Sequence, residues 1–196
     1  GIYPYTITDN NNCTFSDSIN ISEPSVLSVT STQTNVDCNG NSTGSVTLYI
    51  SGGTTDYTVN AFGTSITLPF GLDSISSSTL SPSGVPAGTY PYTVNDNNGC
   101  SFTGSVTITE PLAISVSITT TDVNCNGGND GTATLNASGG TGTLVEDWGT
   151  ANPTQLSVGT YNYTITDDNQ CTYTNSVTIT EPLAISVSIT TTDVNC

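Results

Sequence analysis

The chain has 196 residues, with 16 Asp plus Glu and no Lys, Arg, His or Met, so its formal charge is −16. A chain with no cation cannot neutralise a phosphate backbone or an anionic lipid surface, which excludes nucleic-acid and charge-driven membrane binding. Lacking His, it has no Ser-His-Asp or Cys-His nucleophile activation and none of the usual nitrogen ligands for zinc; lacking Lys, it has no Schiff-base chemistry.

In chain order, the predicted elements are all strands. Residues 1–9 (Gly-Ile-Tyr-Pro-Tyr-Thr-Ile-Thr-Asp) alternate apolar and polar side chains up to an Asp-Asn-Asn-Asn turn, and Cys13 opens the next strand. That strand runs to Glu23-Pro24, where Pro ends it and stiffens the step to the next. A further strand leads to Cys38, followed by one through Val46, Leu48 and Ile50 to a Ser-Gly-Gly turn. The middle of this region holds Tyr57, Val59 and Ala61, then an apparent hairpin of 66–70 with 72–75. Gly88–Asp96 repeats the opening block, Cys100 repeats Cys13, and Glu110-Pro111 repeats Glu23-Pro24. The next cycle runs through Leu112, Ile114, Val116 and Ile118, Cys125, Ala133, Leu135 and Ala137, then Tyr161, Tyr163 and Ile165, Cys171 and Glu181-Pro182. No segment carries a helical stripe, and no apolar run approaches the roughly 20 residues of a membrane span.

Self-similarity fixes the organisation. Ser105–Cys125 and Ser176–Cys196 are the same 21 residues, and Ser18–Cys38 is a diverged copy. The expected domains are 1–23, the end of a preceding repeat; 24–110, a whole repeat with a 16-residue insertion; 111–181, a second whole repeat; and 182–196, the first strand of a following one. The expected fold class is all-β, as tandem immunoglobulin-like β-sandwich repeats set end to end. Trp148 falls where such a fold carries a core Trp in its third strand, although strand parity then turns Glu146 inward. The start at Gly1 and the end at Cys196 are read as cuts within a longer chain or continuous fibre.

The six cysteines form two classes: Cys38, Cys125 and Cys196 follow a first strand, and Cys13, Cys100 and Cys171 open a last strand. Each late-to-early step is 25 residues, whereas early-to-late steps are 62 and 46, so the length variation falls inside each repeat. The expected pairing is one staple per repeat, Cys38–Cys100 and Cys125–Cys171, with Cys13 and Cys196 paired outside the segment. A rival, Cys100–Cys125, requires Glu110-Pro111 to act as a hairpin turn. Disulfides imply an oxidising, extracellular compartment.

The succession Asp-Val-Asn-Cys-Asn-Gly-Gly-Asn-Asp-Gly (122–131), Ala-Ser-Gly-Gly-Thr (137–141), Val-Gly-Thr-Tyr (158–161), Asp-Asp-Asn-Gln-Cys (167–171) and Val-Thr-Ile-Thr-Glu-Pro (177–182) closely resembles the SprB repeat, found in very large cell-surface adhesins of gliding Bacteroidota. The resemblance implies an immunoglobulin-like module of a secreted, surface-exposed adhesin or filament, and it carries over no catalytic or ligand-binding residue.

Two further features have ordinary readings beside functional ones. Asp96, Asp122, Asp130 and Asp167 lie in acidic and amide clusters that could ligate Ca²⁺, but Asp-Asn-Asn-Gly is also turn chemistry; apart from calcium no cofactor is expected. Ser18 and Ser74, in Asp-Ser-Ile sequences, are candidate O-glycosylation sites. The expected role is a structural and adhesive repeat of an extracellular stalk or filament, with neighbouring repeats or further copies as partners. The alternative is a carbohydrate-binding module built on Tyr49, Tyr57, Phe62 and Phe70, with surface glycans as partners. Hydrolysis by Glu146 and Asp147 is disfavoured, because adjacent residues of a strand point to opposite faces.

Overall fold

The computed structural model describes residues 1–69, 71–76 and 84–194. Phe70, the end of the middle insertion and Cys196 lie outside the described residues. The chain is all-β, and its described residues contain no helix long and apolar enough to cross a membrane. The strands are β1 (Ile2–Thr8), β2 (Thr14–Asn20), β3 (Ser28–Thr34), β4 (Ser45–Ser51), β5 (Tyr57–Ala61), β6 (Thr64–Leu68), β7 (Ser74–Ser76), β8 (Gly88–Asn95), β9 (Ser101–Ile108), β10 (Ser115–Thr121), β11 (Thr132–Ser138), β12 (Val145–Asp147), β13 (Gly159–Thr166) and β14 (Thr172–Ile179). They divide between two compact units, one of residues 1–35 and 42–109, the other of residues 36–41 and 110–196.

The first unit holds a three-stranded sheet, β3-β4-β7, and a four-stranded sheet, β6-β5-β8-β9, with every neighbouring pair antiparallel. Burial alternates along the strands, as period-two sequences require. Val46, Leu48 and Ile50 of β4 are buried, as are Tyr57, Val59 and Ala61 of β5, Tyr92 and Val94 of β8, and Val106 and Ile108 of β9. The insertion is not the isolated hairpin expected from its sequence. β6 pairs with β5 through a Phe62-Gly63 turn with positive φ at both residues, the geometry that suits a two-residue hairpin. β7 instead joins β4 in the other sheet, because Ile75 finds a buried position there. The β1–β2 hairpin belongs to this unit as a two-stranded sheet that no other strand among the described residues extends, and Ile2, Tyr3, Tyr5, Ile7, Phe15 and Ile19 are exposed.

The second unit has the sheets β10-β11 and β12-β13-β14. Its core gathers Val123, Ala133, Leu156, Val177 and Ile179 in one cluster and Leu135, Tyr163 and Ile165 in another. Trp148 packs against both clusters, its ring centroid 5.3 Å from that of Tyr163. The inward Glu146 expected from parity does not occur. β12 ends at Asp147 and Gly149 turns the chain at φ 62°, so parity does not extend from Glu146 to Trp148. Glu146 is exposed, and its Oε2 accepts a hydrogen bond from the Trp148 indole N–H at 3.3 Å.

The first strand of the second unit is only half-buried. Ile114 and Val116 are partly covered, while Leu112 and Ile118 of the same stripe are exposed. Residues 182–194, whose sequence matches 111–123, form no strand, and Leu183, Ile185, Val187 and Ile189 are exposed.

Candidate functional site: a loop held in a cysteine-bearing socket

The turn that opens each last strand is built on one aspartate. In Asp167-Asp168-Asn169-Gln170-Cys171, the Asp167 Oδ1 accepts the N–H groups of Asn169 and Cys171, both at 2.9 Å, and Oδ2 accepts the Thr141 N–H at 2.8 Å. Asp96 does the same with Asn98 (3.0 Å), Cys100 (2.7 Å) and Thr54 (2.9 Å). Asp9 makes the two local bonds only, to Asn11 at 2.8 Å and Cys13 at 2.9 Å. Carboxylates that accept several backbone N–H groups tolerate burial, and Asp96 and Asp167 are the buried charges among the described residues. The Thr54 N–H, chiefly, holds the Asp96 carboxyl below its ordinary range against the opposing effect of desolvation. The Ser-Gly-Gly turn makes room for this arrangement. A Cβ on Gly140, whose φ is 62°, would stand 2.9 Å from Asp167 Oδ2.

Beside this turn, in the second unit, sits the loop Asp37-Cys38-Asn39-Gly40. Cys38 and Cys171 form a disulfide with their Cα atoms 5.6 Å apart. Asn169 Nδ2 donates to the Asp37 carbonyl at 3.0 Å, and Asn39 Nδ2 donates to the Pro111 carbonyl at 3.0 Å. The Gly40 N–H donates to Glu110 Oε2 at 2.6 Å. Cys38 follows the first strand of the first whole repeat and Cys171 opens the last strand of the second, so this bond links two repeats of the sequence.

The expected pairs Cys38–Cys100 and Cys125–Cys171 are therefore corrected. The reason is strand polarity. Asp122 Oδ1 accepts the Thr180 N–H at 2.8 Å, just beyond the end of β14, whereas Cys171 stands just before its start. Some eight residues at about 3.3 Å each separate the two ends, so the early and late cysteines of one repeat lie at opposite poles. Asn35 Oδ1 accepts the Thr109 N–H in the same way, at the end of β9 remote from Cys100. Cys13, Cys100 and Cys125 are unpaired and exposed, so the Cys100–Cys125 rival is absent too. Cys196 lies outside the described residues.

The loop after β10 repeats these contacts. The Gly127 N–H donates to Glu181 Oε2 at 2.6 Å, and Asn126 Nδ2 donates to Glu181 Oε1 at 2.9 Å and to the Pro182 carbonyl at 3.2 Å. Asp130 braces it by accepting the Asn124 N–H at 3.0 Å. That bond pulls the Asp130 carboxyl below its ordinary range, as the Thr180 N–H does for Asp122. The four calcium candidates thus each accept backbone N–H groups, and the described residues contain no cluster of three or more His, Cys, Asp or Glu side chains able to hold a metal. Ser18 is exposed on β2 and Ser74 is exposed on β7.

Asn39 and Gly40, with their counterparts Asn126 and Gly127, were not singled out from the sequence, while Glu110 and Glu181 were read only as strand ends and Asn98 and Asn169 only as members of the acidic and amide clusters. The signal was present: Cys-Asn-Gly after a first strand and Glu-Pro after a last one recur as turn and acceptor.

A family model for the SprB repeat matches residues 30–58 and 117–143. Both stretches contain a Cys-Asn-Gly loop and the Ser-Gly-Gly turn. No curated protein matches the chain.

Proposed function

From a chain that carries the SprB repeat at two places, we propose that this is a segment of a bacterial cell-surface protein whose tandem immunoglobulin-like domains form an extracellular stalk or filament. The observation that carries the reading is the disulfide between Cys38 and Cys171, 133 residues apart, which joins consecutive repeats instead of closing one. It suits an oxidising exterior and a protein whose function is to keep domains in line.

The strand orders β3-β4-β7 and β6-β5-β8-β9 support an immunoglobulin-like sandwich, since they match the first, second and fifth strands on one sheet and the third, sixth and seventh on the other, with an added edge. Tyr90 donates its hydroxyl hydrogen to the Pro86 carbonyl at 2.9 Å, and Tyr161 donates to Ser157 at 3.0 Å. Both resemble the tyrosine corner of that fold. The domain boundaries 1–23, 24–110, 111–181 and 182–196 follow from the same repeat.

The reading requires neither catalysis nor a cofactor. Antibodies raised against residues 24–110 are expected to label intact source cells along extended projections; labelling only after permeabilisation would overturn the proposal.

One observation favours the carbohydrate-binding alternative. Phe62 and Tyr90, ring centroids 4.9 Å apart, line an apolar groove of about 630 Å³. Of the other rings considered, Tyr57 is buried, Tyr49 is exposed on β4, and Phe70 lies outside the described residues. Glycan-array binding that disappears in Phe62→Ala would move the reading there.

A further inference from the structure

The first unit has its own copy of the socket. Glu23, Pro24, Asp96, Asn98 and Cys100 line a groove of about 430 Å³. Repeat by repeat they correspond to Glu110, Pro111, Asp167, Asn169 and Cys171, the residues that grip the Asp37–Gly40 loop in the second unit. The aspartate turn is the same in both, and Gly53 approaches Asp96 as Gly140 approaches Asp167. One contact differs. Asn169 gives its amide to the loop carbonyl of Asp37, whereas Asn98 gives its amide to Thr54 Oγ1 at 2.9 Å.

We propose that this groove receives the Asx-Cys-Asn-Gly loop of a preceding repeat of the same protein and is closed by a disulfide to Cys100. The inference rests on the tandem-repeat reading. Its occupant is identified by the chemistry of the seated loop: a glycine N–H for the Glu23 carboxylate, a carbonyl for the Asn98 amide, an asparagine amide for the Pro24 carbonyl, and a thiol for Cys100. The β1–β2 hairpin supports a repeat on that side, because its exposed Tyr5 and Ile7 correspond to Tyr163 and Ile165, which are buried where facing strands exist. By the same logic the Cys125 loop, already seated on Glu181 and Pro182, presents its thiol to the last-strand cysteine of a following repeat. Each junction then has one disulfide, and each repeat shares in two.

Closure oxidises two thiols to one disulfide, releasing two electrons and two protons to a disulfide-class oxidant. Thiol–disulfide exchange isolates the recognition step from that oxidation. The probe is the peptide of residues 35–42, Asn-Val-Asp-Cys-Asn-Gly-Asn-Ser, supplied as its mixed disulfide with glutathione. Attack by a chain thiolate on the peptide sulfur breaks the peptide–glutathione bond, forms the chain–peptide bond and releases glutathione as the thiol, with no net oxidation. The target is the whole 196-residue chain, in which Cys13 is the control: its Asp9 turn makes the two local bonds of the Asp96 turn but lacks the counterpart of the Thr54 bond.

Non-reducing peptide mapping should find Cys100 acquiring the peptide about tenfold faster than Cys13, the factor that one or two net hydrogen bonds amount to. Glu23→Gln and Asn98→Ala should each reduce that preference, and a scrambled peptide should show none. Equal labelling of Cys100 and Cys13, or a preference that survives both substitutions or peptide scrambling, overturns the socket. Surface labelling of cells is unaffected by any of these outcomes, so the socket and the stalk can fail separately.

Discussion

Asp96 and Asp167 combine two demands that usually conflict, since each is a charged group and each is buried. What reconciles them is the backbone: three N–H groups converge on each carboxylate, two from its own turn and one from the strand connection that follows the Ser-Gly-Gly motif. The sign of the pH effect follows from the depressed Asp96, Asp122 and Asp130 carboxyls. A carboxyl whose folded value lies below its unfolded value adds stability that is fully present above the ordinary range, about 4, and is lost as pH falls through the folded value. Denaturant midpoints should therefore be flat from neutrality to about pH 5 and fall below about pH 4. In Asp96→Asn the acid slope of the first unit should flatten, with stability already lowered at pH 7; an unchanged slope would remove Asp96 from this role.

Among the elements, the strand 115–121 gives the plainest lesson about how much of this fold can be read from sequence. Residues 105–125 and 176–196 are identical, yet β10 forms in the first copy and no strand forms at 182–194 in the second. The difference is the partner, because β10 is hydrogen-bonded to β11 along its whole length and strand formation reflects pairing and burial more than local preference. The period-two core, the hairpin turns and most strands were legible because their patterns lie within a few residues, whereas the strand expected at the start of 182–196 does not form at 182–194. The cysteine pairing was not, because constant spacings do not say which neighbour a pole faces. The path of the insertion was not either, since its two apolar stretches suit a shared hairpin and two separate sheets equally well. The Ser-Gly-Gly turn is legible down to the atom. Gly139 has φ 87°, and a Cβ there would lie 2.1 Å from the Ala113 carbonyl oxygen. Gly139→Ala should therefore cost more than the roughly 1–2 kcal/mol of left-handed strain alone, measured by chemical denaturation. A cost below about 0.5 kcal/mol, an ordinary surface effect, would mean the turn relaxes freely.

For the whole molecule, the Cys38–Cys171 bond changes what happens when the chain is pulled from its two ends. Tension entering at Gly1 reaches Cys38, crosses the disulfide and leaves through Cys171, so the 133-residue span between the cysteines lies on a branch that the force bypasses. Only the stretches up to Cys38 and beyond Cys171 can be drawn out, however weak the folding of the bypassed strands. In single-molecule stretching, reduction should release about 460 Å of additional contour length, at roughly 3.5 Å for each residue of the span. Equal lengths with and without reductant would show that force does not take this path. If every junction carries such a bridge, a long array resists lengthening through covalent shortcuts placed once per repeat, and its reach is set by redox chemistry instead of by the stability of any one domain.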